Sequence, residues 1–222
     1  MFKNYMKIVL RSMKKYKGYY FINIAGLAVG LACFILISLW VHFEINYDRF
    51  HENSDDLYQV ITEQRLPNGD VRFFSNSPGA LAHALEMERP EIQHVTRLVD
   101  RTEIMLGTTE TRFLEFVRFV DPAFLDMFSV DFIRGDEKTV FSQPNSIVLT
   151  EGIARKHFAE DNPIGREMLL GSNISLMVTG VIEDMPENSF LSSLCLIPIV
   201  VLNDLGWRID AWGGGNYDTY VH

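Results

Sequence analysis

The chain has 222 residues, 47% apolar and 12% aromatic, with a net charge of −9. That length suits one domain plus a membrane segment, or at most two small domains, and the apolar share excludes a disordered chain. The spread of charge excludes a plain cytosolic globule: residues 1–17 carry six basic residues and no acid, residues 18–43 carry no charge, and the rest carries 14 basic residues and all 29 acids.

In the foot, Phe2, Tyr5, Met6, Val9, Leu10, Met13 and Tyr16 recur at steps of three and four. This predicts an amphipathic helix over residues 1–17. Lys3, Lys7, Arg11, Lys14, Lys15 and Lys17 lie mostly on its other face. Such a helix either rests in the membrane interface, its cations against anionic headgroups, or packs its stripe on protein. The charge-free run 18–43 is long enough, as a helix of about 39 Å, to cross a membrane. A cleaved signal peptide has a shorter apolar region and a small-x-small exit. This run leaves instead through Trp40-Val41-His42-Phe43-Glu44. Six cations immediately before the span hold the N-terminus in the cytoplasm and put the acidic head outside. Tyr19, Tyr20 and Trp40 sit near the ends, where interfacial aromatics belong. Gly26 and Gly30 form a small-xxx-small pair flanked by Ala25, Ala28 and Ala32. They are candidates for close helix packing, although small residues are common in membrane helices anyway. The junction from Glu44 to Phe50 has neither Gly nor Pro, so the stem is expected to run stiffly into the head.

Residues 44–222 read as a mostly antiparallel α+β domain with room for two lobes. A strand over Leu57–Arg65, a turn at Pro67-Asn68-Gly69-Asp70 and a returning strand over Val71–Phe74 form a hairpin. Ser77 before Pro78 predicts an N-cap for a helix through Leu81, Ala82 and Leu85 that stops before Pro90. Ile92–Val99, Glu103–Leu106 and Arg112–Val120 are further strands. Asp121-Pro122 repeats the cap for a short helix through Phe124, Leu125 and Phe128. Ser146–Leu149 is a buried strand, and Thr150 caps a helix holding Ile153, Ala154, His157 and Phe158. Asn162-Pro163-Ile164-Gly165 is a turn. Glu167–Leu170 and Ser175–Ile182 pair as a hairpin, Met185–Ser189 is a loop, and the remainder is mixed up to the Gly213-Gly214-Gly215 loop.

Catalytic signals are missing from the sequence. The six histidines (His42, His51, His83, His94, His157, His222) form no HExxH or HxH pattern, and Glu91 with His94 is too small a donor set for a metal. There is no GxSxG elbow, no CxxC and no phosphate-binding GxxxxGK[ST]. The two cysteines, Cys33 in the apolar run and Cys195 near the other end, are poorly placed for a disulfide. An acidic head argues against nucleic-acid binding. No catalytic, cofactor or metal residue is therefore expected.

Several ordered stretches carry a resemblance. Met1-Phe2-Lys3-Asn4-Tyr5, Lys14-Lys15-Tyr16-Lys17-Gly18-Tyr19 and the run from Phe21-Ile22-Asn23-Ile24 to Ala32 resemble the opening of MacB-type, FtsX-like ABC transporter permeases. Asn46-Tyr47-Asp48-Arg49-Phe50-His51-Glu52-Asn53 resembles the start of their periplasmic domain. Asp121–Phe128, Asn145–Thr150, Asn162–Gly165, Val178–Ile182 and Pro186-Glu187-Asn188-Ser189 follow in the family's order. Ala159 stands where members often have Gly, and Phe190 where His is common. The resemblance implies a non-catalytic permease subunit of the inner membrane. It implies an ATP-binding partner in the cytoplasm, a second permease copy or homologous half, and a periplasmic adaptor or substrate protein. Motion would be passed outward by mechanotransmission. Members normally carry three more spans after this domain, so the chain is expected to be an N-terminal fragment that would not transport alone. The competing reading is a single-span anchored periplasmic sensor or ligand-binding domain.

Overall fold

Apolar spacing in the foot produces helix α1, Phe2–Lys15, and the charge-free run produces α2, Lys17–Ile45. The computed structural model describes residues 2–45, 56–185 and 195–222. The chain divides into two units, Met1–Tyr47 and Asp48–His222. Tyr16 separates the two helices without opening the ladder: its N–H donates to Ser12 O at 2.9 Å, and Tyr20 N–H donates to Tyr16 O at 3.2 Å. At 29 residues, α2 is roughly 43 Å long, enough for a tilted span. None of its residues is buried. The expected junction motif Asn46–Asn53 and the loop motif Pro186–Ser189 lie outside the described residues.

The second unit is built on strands. β1 (Tyr58–Gln59) is followed by the hairpin β2 (Thr62–Arg65) and β3 (Val71–Phe74), a separate two-stranded sheet. Its turn has Gly69 at φ +89°, a conformation only Gly adopts cheaply. Next come β4 (Asn76–Ser77), helix α3 (Ala80–Glu88), β5 (Val95–Leu98), β6 (Thr102–Gly107) and β7 (Arg112–Val120). Helix α4 (Phe124–Met127), β8 (Phe132–Arg134), β9 (Ser146–Thr150) and helix α5 (Glu151–Phe158) follow. β10 (Glu167–Leu170), β11 (Ile174–Ile182), β12 (Cys195–Pro198), a 3-10 helix (Ile199–Asn203) and β13 (Tyr217–Val221) complete the order.

All strands but β2 and β3 join one 11-stranded sheet, whose pairs are antiparallel except β7–β12 and β9–β11. The long strands β7 and β11 each share one edge between two partners. β6 lies along Arg112–Val117 and β5 meets Val120; β10 lies along Ile174–Met177 and β8 meets Val181 and Ile182. Because β6 also pairs with β10, the strands β6, β7, β12, β9, β11 and β10 close into a ring. Closure leaves these six without an open edge, the feature that invites aggregation.

Side-chain alternation distributes the core over both sheet faces. Val117, Phe119, Ile147, Leu149 and Ile197 join one cluster with Ile153 and Ala154 of α5. Their neighbours Val120, Val148, Leu196 and Ile182 join a second cluster with Phe124, Leu125 and Met127 of α4. This double burial explains why β9 (SIVLT) and β12 (CLIP) read as unbroken apolar runs.

Three local expectations need correction. Leu57–Arg65 is two short strands, β1 pairing with β13 and β2 with β3. Ser77 is not a helix cap. It lies in β4 and its buried hydroxyl bonds Tyr217 O at 3.1 Å and Thr219 Oγ1 at 2.6 Å, while Gly79 occupies the cap position of α3. Thr150 does occupy the cap position of α5, but its hydroxyl makes no cap bond. Strands β8 and β13 carry no expectation from the sequence, because each is held by long-range pairing.

Helix α5 ends at Ala159 with φ 52° and ψ −118°. A Cβ is strained there, and glycine is not. Ala159→Gly should stabilise the protein by about 1 kcal/mol, the usual scale of such replacements, read as a rise of a few degrees in Tm. A lower Tm would mean that Ala159 is unstrained.

Candidate functional site

Among the residues singled out from the sequence, Lys3, Lys7, Arg11, Lys14 and Lys15 lie on α1, and Lys17 begins α2. Lys7, Arg11, Lys14, Lys15 and Lys17 are exposed. Lys15 Nζ lies 5.4 Å from the centre of the Tyr16 ring. Gly26 and Gly30 lie one turn apart on α2, and a Cβ built at either would meet nothing within 4 Å.

In the head, the structure assembles residues that lie far apart in the chain. The largest assembly centres on Arg97 of β5. Its side chain is only 11% exposed, and it holds Asp121 at 16% exposure through Nε (2.8 Å) and Nη2 (2.9 Å). Asp121 also accepts the Arg97 backbone N–H at 2.9 Å. The remaining guanidinium nitrogen donates to Gly79 O and Ile209 O at 2.8 Å and to Asp210 Oδ1 at 3.1 Å. One cation thus ties the start of α3, the β7–α4 turn and the 209–210 loop together. Burial alone would lower the Arg97 pKa, but hydrogen bonds and charge from Asp121, then Asp210, outweigh it and leave it raised. Gly79 is obligatory here, because a Cβ would sit 1.9 Å from Ile209 O.

The Asp121-Pro122 pattern predicts a cap for α4. Its backbone carbonyl does accept Phe124 N–H at 3.0 Å, but its carboxylate goes to Arg97. A buried guanidinium presents a stronger charge-assisted partner than a helix terminus.

A second ionic assembly joins α5 to β7. Glu115 Oε1 lies 2.8 Å from both Lys156 Nζ and His157 Nε2, and the His157 side chain is fully enclosed. Lys156 Nζ stands 4.7 Å from the Phe113 ring centre, and His157 meets that ring edge-on at 5.2 Å. Cys195 is nearby. Burial first, and then the Glu115 charge, push its thiol pKa far up, with Lys156 opposing. The contacts of Glu115 with Lys156 and His157 make this assembly a clasp between helix and sheet. Forty-two residues separate Glu115 from His157, and no local spacing announces the pair. A third charged group pairs Asp218 with Asp100. Burial, then the Asp100 charge and hydrogen bond, raise the Asp218 pKa against Arg118 and Gln59. Among the described residues no group of three or more His, Cys, Asp or Glu is arranged to hold a metal.

The Arg97 assembly floors a groove of about 850 Å³ lined by α3, Val95, Asp121-Pro122-Ala123, Asp210 and Trp212. A second depression of about 670 Å³ shares Asp210 and Trp212 with it and adds Trp207, Arg208, Asn216 and Tyr217. This arrangement offers a binding surface of apolar and charged groups.

Comparison with known proteins follows the same lines. Residues 20–220 match the family described as the MacB-like periplasmic core domain. No curated protein is significantly similar in sequence. Among solved structures, a domain of a putative permease protein from Porphyromonas gingivalis is 25% identical, with a TM-score of 0.64 over 78% of this chain and 74% of that one. The periplasmic region of MacB from Actinobacillus actinomycetemcomitans is 21% identical, with a TM-score of 0.51 over 67% and 65%. The extracellular domain of the noncanonic ABC-type transporter YknZ from Gram-positive bacteria is 14% identical, with a TM-score of 0.52 over 75% and 81%. At these identities the last two show a shared fold.

Proposed function

The chain belongs to the MacB-like periplasmic core domain family, and from that premise we propose that it links a cytoplasmic ATP-driven motion mechanically to work outside the inner membrane. It is a transporter permease component, and the family is generally non-enzymatic. In the proposed arrangement, residues 1–17 rest on the cytoplasmic face, 18–43 cross the membrane, and 44–222 stand in the periplasm. An ATP-binding subunit supplies the chemistry. Gly26 and Gly30 admit a helix of a second permease copy or homologous half, and the foot cations meet anionic lipid. The head engages a periplasmic adaptor or substrate protein.

The observation that carries this reading is α2. It is an unbroken helix of 29 residues with none of them buried, and it is long and apolar enough to cross a membrane. Water is an unfavourable neighbour for so much apolar surface, at roughly 25 cal/mol per Å², and a bilayer removes that cost. The six preceding cations favour the cytoplasmic side.

Cysteine labelling tests the arrangement. Asn68→Cys, at the exposed tip of the β2–β3 hairpin, should react with a membrane-impermeant maleimide added outside. Lys15→Cys should react only after permeabilisation. A Cys33→Ala background removes one native thiol, and the other, Cys195, is buried away from the reagent. The reverse labelling pattern would overturn the proposal.

A further inference from the structure

The two depressions share Asp210 and Trp212, and the trough they outline together has large exposed side chains on its rim. Met87 at its α3 side is 73% exposed and Trp212 at its centre is 64% exposed, with Trp207 beyond. Scattered exposed apolar residues are ordinary, but large ones gathered around one depression mark a binding surface. Trp, Tyr and Met are also the residue types enriched where proteins meet. The trough is preorganised. Arg97 pins the 209–210 loop to Gly79 and Asp121 from below, and its guanidinium lies 5.8 Å from the Tyr217 ring centre. A rigid platform saves the ordering cost that a flexible loop would incur on binding.

The charges define the occupant. The cation in the floor, Arg97, faces two carboxylates, Asp121 and the 77% exposed Asp210. Glu86 and Glu88 add two more acids along α3, with His83 3.9 Å from Glu86. Arg208 lies at the opposite end. The trough is therefore acidic on the α3 side and aromatic in the middle. We propose that it docks a polypeptide segment of a partner protein that carries Lys or Arg beside an apolar anchor. The cation lies against Glu86 and Glu88, and the anchor sits between Met87 and Trp212. Two joined depressions suit an extended segment better than one compact small molecule. The inference rests on the proposed engagement of a periplasmic partner by the head and says where and how it docks; it needs neither ATP nor transport, so its failure would leave the mechanical role untouched.

The test uses the full chain in nanodiscs of zwitterionic lipid and a fluorescent peptide alternating Lys and Leu, read by anisotropy. The peptide should bind saturably, more weakly as salt rises, and not to empty discs. Trp212→Ala, at an exposed position that the fold does not need, should weaken binding about tenfold or more. Glu86→Gln with Glu88→Gln should weaken it several-fold and flatten the salt dependence. An alternating Glu and Leu peptide should not bind. No binding of the Lys and Leu peptide, equal binding by Trp212→Ala, or equal binding of the acidic peptide would each overturn the proposal. So would Trp212-dependent binding of a neutral malto-oligosaccharide in its place, which would make the trough a sugar platform.

Discussion

Replacing Arg97 by Met should destabilise the head by about 3–5 kcal/mol, the cost of removing one partner from a buried ion pair. The side chain volume is nearly kept, so the loss is electrostatic. Asp121, 16% exposed, would lose its counter-ion. The carbonyls of Gly79 and Ile209 would lose their donors in a site where Gly79 approaches too closely to admit a methyl group. Set against a typical total of about 5–15 kcal/mol, that is a large share. It should appear as a Tm drop of roughly 10 °C, measured by circular dichroism on the full chain. Arg97→Lys should lie between, because an ammonium cannot serve Asp121, two carbonyls and Asp210 with one planar fork. Asp210→Asn should cost little, since that carboxylate is mostly in water. A Tm within a degree or two of the parent for Arg97→Met would show that the node is ornamental.

The stem was almost fully legible in the sequence. Charge alone marks a run over 18–43, and α2 extends it by one residue to Lys17 and two to Ile45. The reason is physical: a long apolar helix satisfies its backbone hydrogen bonds within itself and is specified by local composition, with no need of distant partners. The hairpin of β2 and β3 was legible for a similar reason, because Asn68-Gly69 dictates its own turn. Strand β7 was expected over Arg112–Val120 and lies there. The failures share a cause. Ser77 and Asp121 each look like a helix cap in sequence, but each has a better partner far away, Thr219 and Arg97 respectively. Strand β13 follows a glycine-rich loop and has little to mark it, yet it pairs with β1, β4 and β5. The trough has residues from α3, β5, the β7–α4 turn and the 207–217 stretch. It appears only once the sheet brings them together.

The proposed mechanical link concentrates on a short stretch. Glu44 to Phe50 contains neither Gly nor Pro, so nothing in its composition provides a flexible tether. A helix transmits a displacement along its axis, whereas a Gly/Ser coil absorbs it as conformational freedom. The direct measurement is to insert about six Gly/Ser residues after Asn46 in the complete transporter, then compare membrane insertion, ATP hydrolysis by the partner subunit, and the transport or extraction phenotype. The account predicts that insertion and hydrolysis stay close to normal while the phenotype is lost. A transporter that works normally with the flexible insert would contradict it, and the head would then be a passive binding module on a membrane anchor.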